Sequence, residues 1–236
     1  MSGGWTLPNK TKTSCAVLLT AALAVGACAS AAHARDEIWY ELPWDVRTGP
    51  EWFRVKATLG DAEAQYRLGL LYERGVKLER DPAEAAEWYR QAARQGHVRA
   101  QFKLGALHQS GALGEVDLVE AGDWYARAAE QGLARAQYNL AVLIERGLGR
   151  DADPARAARL YRQAAGAGIA EAQMSLGLLY AAGKGVERDP VEAAARLQLA
   201  AEAGVPGAAQ AQERVAADLS DRERATARNR AAELRG

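Results

Sequence analysis

The chain has 236 residues, with 30 basic and 30 acidic side chains and no net formal charge, so no strong field selects DNA, RNA or an anionic membrane. Apolar residues make up 49%, ample for a core. The only two cysteines, Cys15 and Cys28, lie close to the start, which leaves the rest without a disulfide framework, a thiolate metal site or a cysteine nucleophile.

Residues 1–34 differ in kind from the rest of the chain. Lys10 and Lys12 precede the apolar run CAVLLTAALAVGA, as long as a secretory h-region and too short to span a bilayer comfortably. The triplet AHA before Arg35 has the small-x-small form of a signal-peptidase site, whereas VGAC resembles a lipobox that would leave Cys28 as an acylated first residue. The first is clean and properly spaced, so residues 1–34 are read as a signal peptide and the protein as periplasmic or secreted. Lipidation at Cys28 is the alternative, and the one route to a membrane. A mature chain without thiols suits an oxidising compartment. Residues 35–49, RDEIWYELPWDVRTG, form an arm carrying Trp39, Tyr40 and Trp44. Such rings are driven to bury and are expected over the exposed end of the first helices; a binding role is the other reading.

A fixed period then takes over. Gly60, Gly96, Gly132, Gly168 and Gly204 stand 36 residues apart, and Ala64, Gln65, Leu68 and Gly75 each recur at the same step. Self-similarity at such a period marks a repeat architecture. Four full units occupy 61–96, 97–132, 133–168 and 169–204. Residues 50–60 align with the second half of a unit, because WFRVKATLG matches WYRQAARQG at 88–96. Residues 205–236 lose the pattern, as capping helices would.

Within the first unit Ala64, Leu68, Leu71 and Tyr72 follow one helix face, and Gly75 closes the run. Asp81-Pro82 opens a second helix, by a side-chain cap and a residue preset for the first turn. Ala85, Trp88, Tyr89 and Ala92 form its stripe, ended by Gly96. Gly69, Gly105 and Gly177 sit mid-helix, where glycine costs about 1 kcal/mol relative to alanine; helices approaching too closely for a β-carbon would explain them. One helix pair cannot bury its apolar face alone, so the units must stack. At the C-terminus, residues 215–219 read as a last apolar helix. Ser220 and Glu223 then form a capping box that starts an Arg-rich helix, whose Arg222, Arg224, Arg228 and Arg230 would form a polar outer face.

The pattern A-x-x-x-L-G-x-x-Y-x-x-G followed by D-P-x-x-A-x-x-W-Y-x-x-A-A-x-x-G resembles the Sel1-like repeat, a relative of the tetratricopeptide repeat. The first unit carries it best, through Ala64, Leu68, Gly69, Tyr72, Gly75, Asp81, Ala85, Trp88, Tyr89 and Gly96. Departures include His108 and Ile144 for the tyrosine, Leu160 and Arg196 for the tryptophan, and Leu197 for the second aromatic. The resemblance implies an all-α, right-handed α-solenoid that binds other proteins. Some cysteine-rich members have been linked to β-lactam binding or hydrolysis, but their disulfide scaffold is missing here.

Catalytic patterns are lacking. His33, His97 and His108 are the only histidines, and neither His97 nor His108 stands at a metal-ligand spacing. Gly183-Lys184-Gly185 is a turn without the rest of a phosphate loop. No enzyme, cofactor or metal is therefore expected. A binding surface is. If Ala64 and Leu68 point into the stack, then Glu63, Tyr66 and Leu70 share an adjacent face. In tetratricopeptide-like solenoids the first helices line the concave side. Tyr66, Phe102, Tyr138 and Met174 would form one row there, Leu70, Val142 and Leu178 a second, and Glu63, Arg99 and Arg135 a polar edge. Aromatics and Met beside Arg are enriched at interfaces, although the same rings could simply fill space between neighbouring first helices. The reading is a monomeric interaction scaffold of the bacterial cell envelope whose partner is a protein or peptide. A periplasmic regulator of a membrane sensor is the alternative, and a cell-wall-directed or β-lactam hydrolase the least favoured.

Overall fold

The structure is a computed structural model that describes residues 49–235; the expected signal peptide, Cys28 and nearly all of the aromatic arm fall outside that range. Among the described residues there are eleven helices and no strand. They are α1 (Pro50–Thr58), α2 (Ala62–Arg74), α3 (Pro82–Arg94), α4 (Val98–Ser110), α5 (Leu118–Glu130), α6 (Ala134–Arg146), α7 (Pro154–Gly166), α8 (Ala170–Ala182), α9 (Pro190–Glu202), α10 (Ala208–Ala217) and α11 (Asp221–Arg235). From α2 to α9 every helix has 13 residues. Each packs mainly on its neighbours in sequence, and α11 turns back onto α9. The result is a linear stack of helix hairpins, the arrangement of an α-solenoid.

Local chemistry sets each boundary. The second helices begin at Asp81, Asp117, Asp153 and Asp189, whose carboxylates accept from backbone N–H groups two or three residues on. This satisfies donors that have no partner within the helix. The first helices α2, α4, α6 and α8 end at Gly75, Gly111, Gly147 and Gly183, all at positive φ, where a β-carbon would be strained. Residues 215–219 do not form a separate helix: α10 runs from Ala208 to Ala217, and Leu219 lies beyond its end as a buried anchor. The capping box is formed, with Ser220 N donating to Glu223 at 2.8 Å.

Two contacts recur at the 36-residue step and hold the stack. A β-carbon on Gly69 would come within 2.6 Å of the Tyr89 ring, one on Gly105 within 2.8 Å of Tyr125, and one on Gly177 within 2.9 Å of Leu197. The glycines are therefore the slots into which second-helix side chains fit. The second contact is polar. Gln65, Gln101, Gln137 and Gln173 donate through Nε2 to the carbonyls of Ala57, Ala93, Ala129 and Ala165, at 3.1 to 3.3 Å. Each pins a first helix to the end of the preceding second helix.

The C-terminal end is closed differently. Arg196, which stands in the tryptophan position, is buried in an ion pair with Glu192 at 2.5 Å and donates to Gln173 at 2.9 Å. Glu192 also takes Arg230 of α11 at 2.8 Å. Arg230 thus latches α11 to α9 while part of its side chain stays at the surface beside Glu233.

Candidate functional site

The first-helix face changes along the stack. In the first unit it is shut. Tyr66 and Leu70 are 1% and 0% exposed, so both are core residues and leave the expected partner-binding row. The cause is two rings: His97 of the next unit stacks on Tyr66 with centroids 4.6 Å apart, and Tyr89 of its own unit lies at 5.8 Å. His97 Nδ1 accepts from Ala100 N at 3.2 Å, so Nε2–H donates to Glu63 at 3.0 Å. Arg67 reaches the other oxygen of Glu63 at 2.6 Å. Partial burial pushes the Glu63 carboxyl up, but the hydrogen bonds from His97 and Arg67 outweigh it and hold the group below the usual carboxylate range. Glu63 is thus a surface tie between units 1 and 2.

In the middle units the row is half-covered. Phe102 and Tyr138 are half-buried, and their rings pack against Tyr125 and Tyr161 with centroids 5.6 and 5.8 Å apart. Burial, aided by Glu171, raises the Tyr138 phenol above its ordinary value. Val142, Arg135 and Met174 are half-buried as well, while Arg99 is exposed. Here the rings do fill space between neighbouring helices, but they leave an edge to solvent.

A polar plug explains the closure of the first three junctions. Tyr89 donates through its hydroxyl to Glu73, which also receives Lys103 Nζ at 3.0 Å. Tyr125 donates to Gln109 at 2.6 Å beside Asn139, and Tyr161 to Glu145 at 2.8 Å beside Ser175. At the fourth junction the equivalent positions are Leu197, Ala181 and Ala211. All three polar partners are lost together, as they must be, since an unpaired buried carboxylate or phenol is costly. The space they would fill is open. A cavity of about 580 Å³ lies between α8, α9, α10 and α11, lined by Leu178, Ala181, Pro190, Ala211, Val215 and Leu219. Arg188, Arg214, Asp218 and Glu223 surround it. Leu178 is 41% exposed at its mouth.

Of the residues expected to bind a partner, then, Leu178 lines an open cleft, Phe102, Tyr138, Val142 and Met174 are half-buried along the first helices, and Tyr66 and Leu70 are sealed. Sequence reasoning placed the last apolar helix at 215–219, too late for α10 at Ala208–Ala217, and did not see that Val215 and Leu219 line a cleft. It also missed exposed aliphatics near two inter-helix turns, Val116 before α5 with Val119 in its first turn, and Leu148 after α6. The available signal was the missing proline at Asp117-Leu118.

A linear stack of helix hairpins with an open face at one end defines a tandem-repeat scaffold. A family model for the Sel1 repeat matches residues 62–97, 98–133, 134–169 and 170–205, and the chain belongs to the Sel1 repeat family. Among solved structures it is similar to a Sel1 repeat protein from Oxalobacter formigenes, at 36% identity and TM-score 0.63 over 68% of this chain and 66% of that one. It is also similar to c5321, a protective antigen of uropathogenic Escherichia coli with an SLR fold, at 27% identity and TM-score 0.55 over 81% of this chain and 49% of that one. The chain therefore spans about two thirds and one half of these relatives. No curated protein matches it. Sel1-repeat proteins are generally scaffolds for protein–protein interaction.

Proposed function

We propose that this protein is an exported, non-enzymatic adaptor of the bacterial cell envelope, and that it engages a partner polypeptide through the C-terminal part of its first-helix face. The observation that carries this reading is the fourth junction. There the polar plug gives way to an open cleft lined by both aliphatic and charged side chains, with Leu178 partly exposed among them, on the same row of first helices as the half-buried Phe102, Tyr138 and Met174. A partly exposed aliphatic floor within a charged rim is the usual build of an interface centre. The mixed rim of two arginines and two carboxylates favours a polypeptide over a ligand of one charge. Export, by cleavage after Ala34 or by lipidation at Cys28, belongs to the same reading.

The test is affinity capture of the tagged, full-length protein from its native envelope, run beside the Leu178→Asp variant. Leu178 is partly exposed, so the variant keeps its thermal midpoint and loses the partner that the native chain recovers. Recovery of the same partners by both proteins overturns the proposal.

A further inference from the structure

Two of the turns that join a first helix to its second carry an extra glycine at positive φ. These are Gly149 and Gly185, each two residues after the glycine that ends the first helix. Both lie against the unit before them. A β-carbon on Gly149 would stand 2.9 Å from the Leu118 carbonyl carbon and 3.0 Å from Val119 N, and one on Gly185 would meet the Pro154 carbonyl and come within 2.6 Å of Ala155 N. The obstacles are backbone atoms in the first turn of α5 and of α7, which cannot step aside as the end of a flexible side chain can. Only glycine fits so close an approach. The start of each of these second helices is therefore a seat for a glycine turn that the next unit supplies.

One repeat further on, the seat remains and the turn does not. The counterpart of Pro154 is Pro190 at the start of α9, and it lines the open cleft with Leu178, Ala181 and Ala211. The counterpart of Gly185 is Asp221. That residue begins α11 with its side chain fully exposed, and α11 packs on α9 through Ala227 and Ala231, with Val191 beside them. Between Gly207 and Gly236 the sequence has no glycine. No turn of the required kind follows α10, and those of Gly149 and Gly185 are already seated inside the stack.

We propose that the partner polypeptide places a glycine turn of its own on the start of α9, at Pro190, with the residues that flank the turn lying in the cleft between α8 and α10. This rests on the cleft being the partner site, and it names what the partner must present there: a tight turn with one residue at positive φ and no β-carbon. The contact continues the internal interface of the stack, with another chain supplying the element that a fifth unit would.

NMR titration of the full, isotope-labelled chain with a head-to-tail cyclic peptide of residues 181–188, AAGKGVER, tests it. Amides of Ala181, Val191, Ala211 and Val215 shift and saturate at about millimolar peptide, and the Gly185→Ala peptide binds more than about tenfold more weakly. In the protein, Ala181→Trp fills the cleft from a partly buried position, keeps the thermal midpoint and abolishes the shifts. Equal binding by the two peptides overturns the proposal, and so does a native peptide that shifts no amide of the cleft. Loss of the envelope partner with Leu178→Asp, found beside either of those results, refutes the glycine turn and leaves the cleft as the partner site.

Discussion

The tightest constraint is a pair of residues, a glycine on one helix and a ring on the next. Gly105 faces Tyr125 at 2.8 Å and the Ala121 carbonyl at 3.1 Å, measured from where a β-carbon would stand. Gly105→Ala therefore forces the ring aside, at a cost of about 1–3 kcal/mol in urea unfolding. Gly122 is the contrasting case, a mid-helix glycine whose added carbon would meet only Leu143 at 3.8 Å; Gly122→Ala stabilises by about 0.4–1 kcal/mol in the same assay. The mid-helix glycines were legible in the sequence, since a residue so poor for helices recurs only where something needs the room. The glutamines at 65, 101, 137 and 173 recurred just as plainly, but their reason did not show, because the partner is a backbone carbonyl eight residues earlier. The rings also set the alkaline limit of the fold. Burial pushes the phenols of Tyr66, Tyr89 and Tyr161 well above their ordinary value and that of Tyr125 up to about 12. A group whose folded pKa is raised favours folding below its unfolded value, near 10, and loses that contribution as pH rises through the folded value. Urea midpoints should hold steady up to about pH 10 and fall between about pH 10 and 12. Midpoints that stay flat across that window would mean the phenols are not held neutral by the stack.

Among the elements, the second helices depend on a single carboxylate each. Asp117 accepts from Val119 N at 3.1 Å and Glu120 N at 2.9 Å, and no proline follows to help start α5. Asp117→Ala should cost about 1 kcal/mol of unfolding free energy, within the 0.5–2 kcal/mol range of such caps. A change below about 0.3 kcal/mol would show that packing alone fixes the start of α5. Helix positions from α2 to α9 were readable because Asp at one end and Gly at the other repeat with the period. The start of α10 was not. It opens at Ala208 after Gly207 at positive φ, with no side-chain cap, and its Ala- and Gln-rich turns carry too little apolar contrast to announce a helix. The fate of the binding row was equally hidden. Whether a ring on a first helix is sealed, as Tyr66 is, or half-open, as Tyr138 is, depends on what the following unit lays over it, here His97 in one case and Ser175 in the other.

At the scale of the stack, stability is a chain of neighbour interactions, because among the described residues each helix packs chiefly on the helices before and after it and no long-range layer ties α1 to α11. In such a stack an injury weakens its own unit and the adjoining interfaces and then fades. The two ends are also held unequally. The C-terminus has the buried Arg196–Glu192 pair and the Arg230 latch, while the described part of the N-terminus offers only Phe53, Ala57 and their fit against α2. Gly105→Ala places its strain between α4 and α5. Native-state hydrogen exchange should then show α4, α5 and the helices beside them opening faster, with the change declining toward α8, α9 and α11, whose amides keep the protection of the native chain. A uniform loss of protection from α2 to α11 would instead require one cooperative unit, which the neighbour-only packing does not provide.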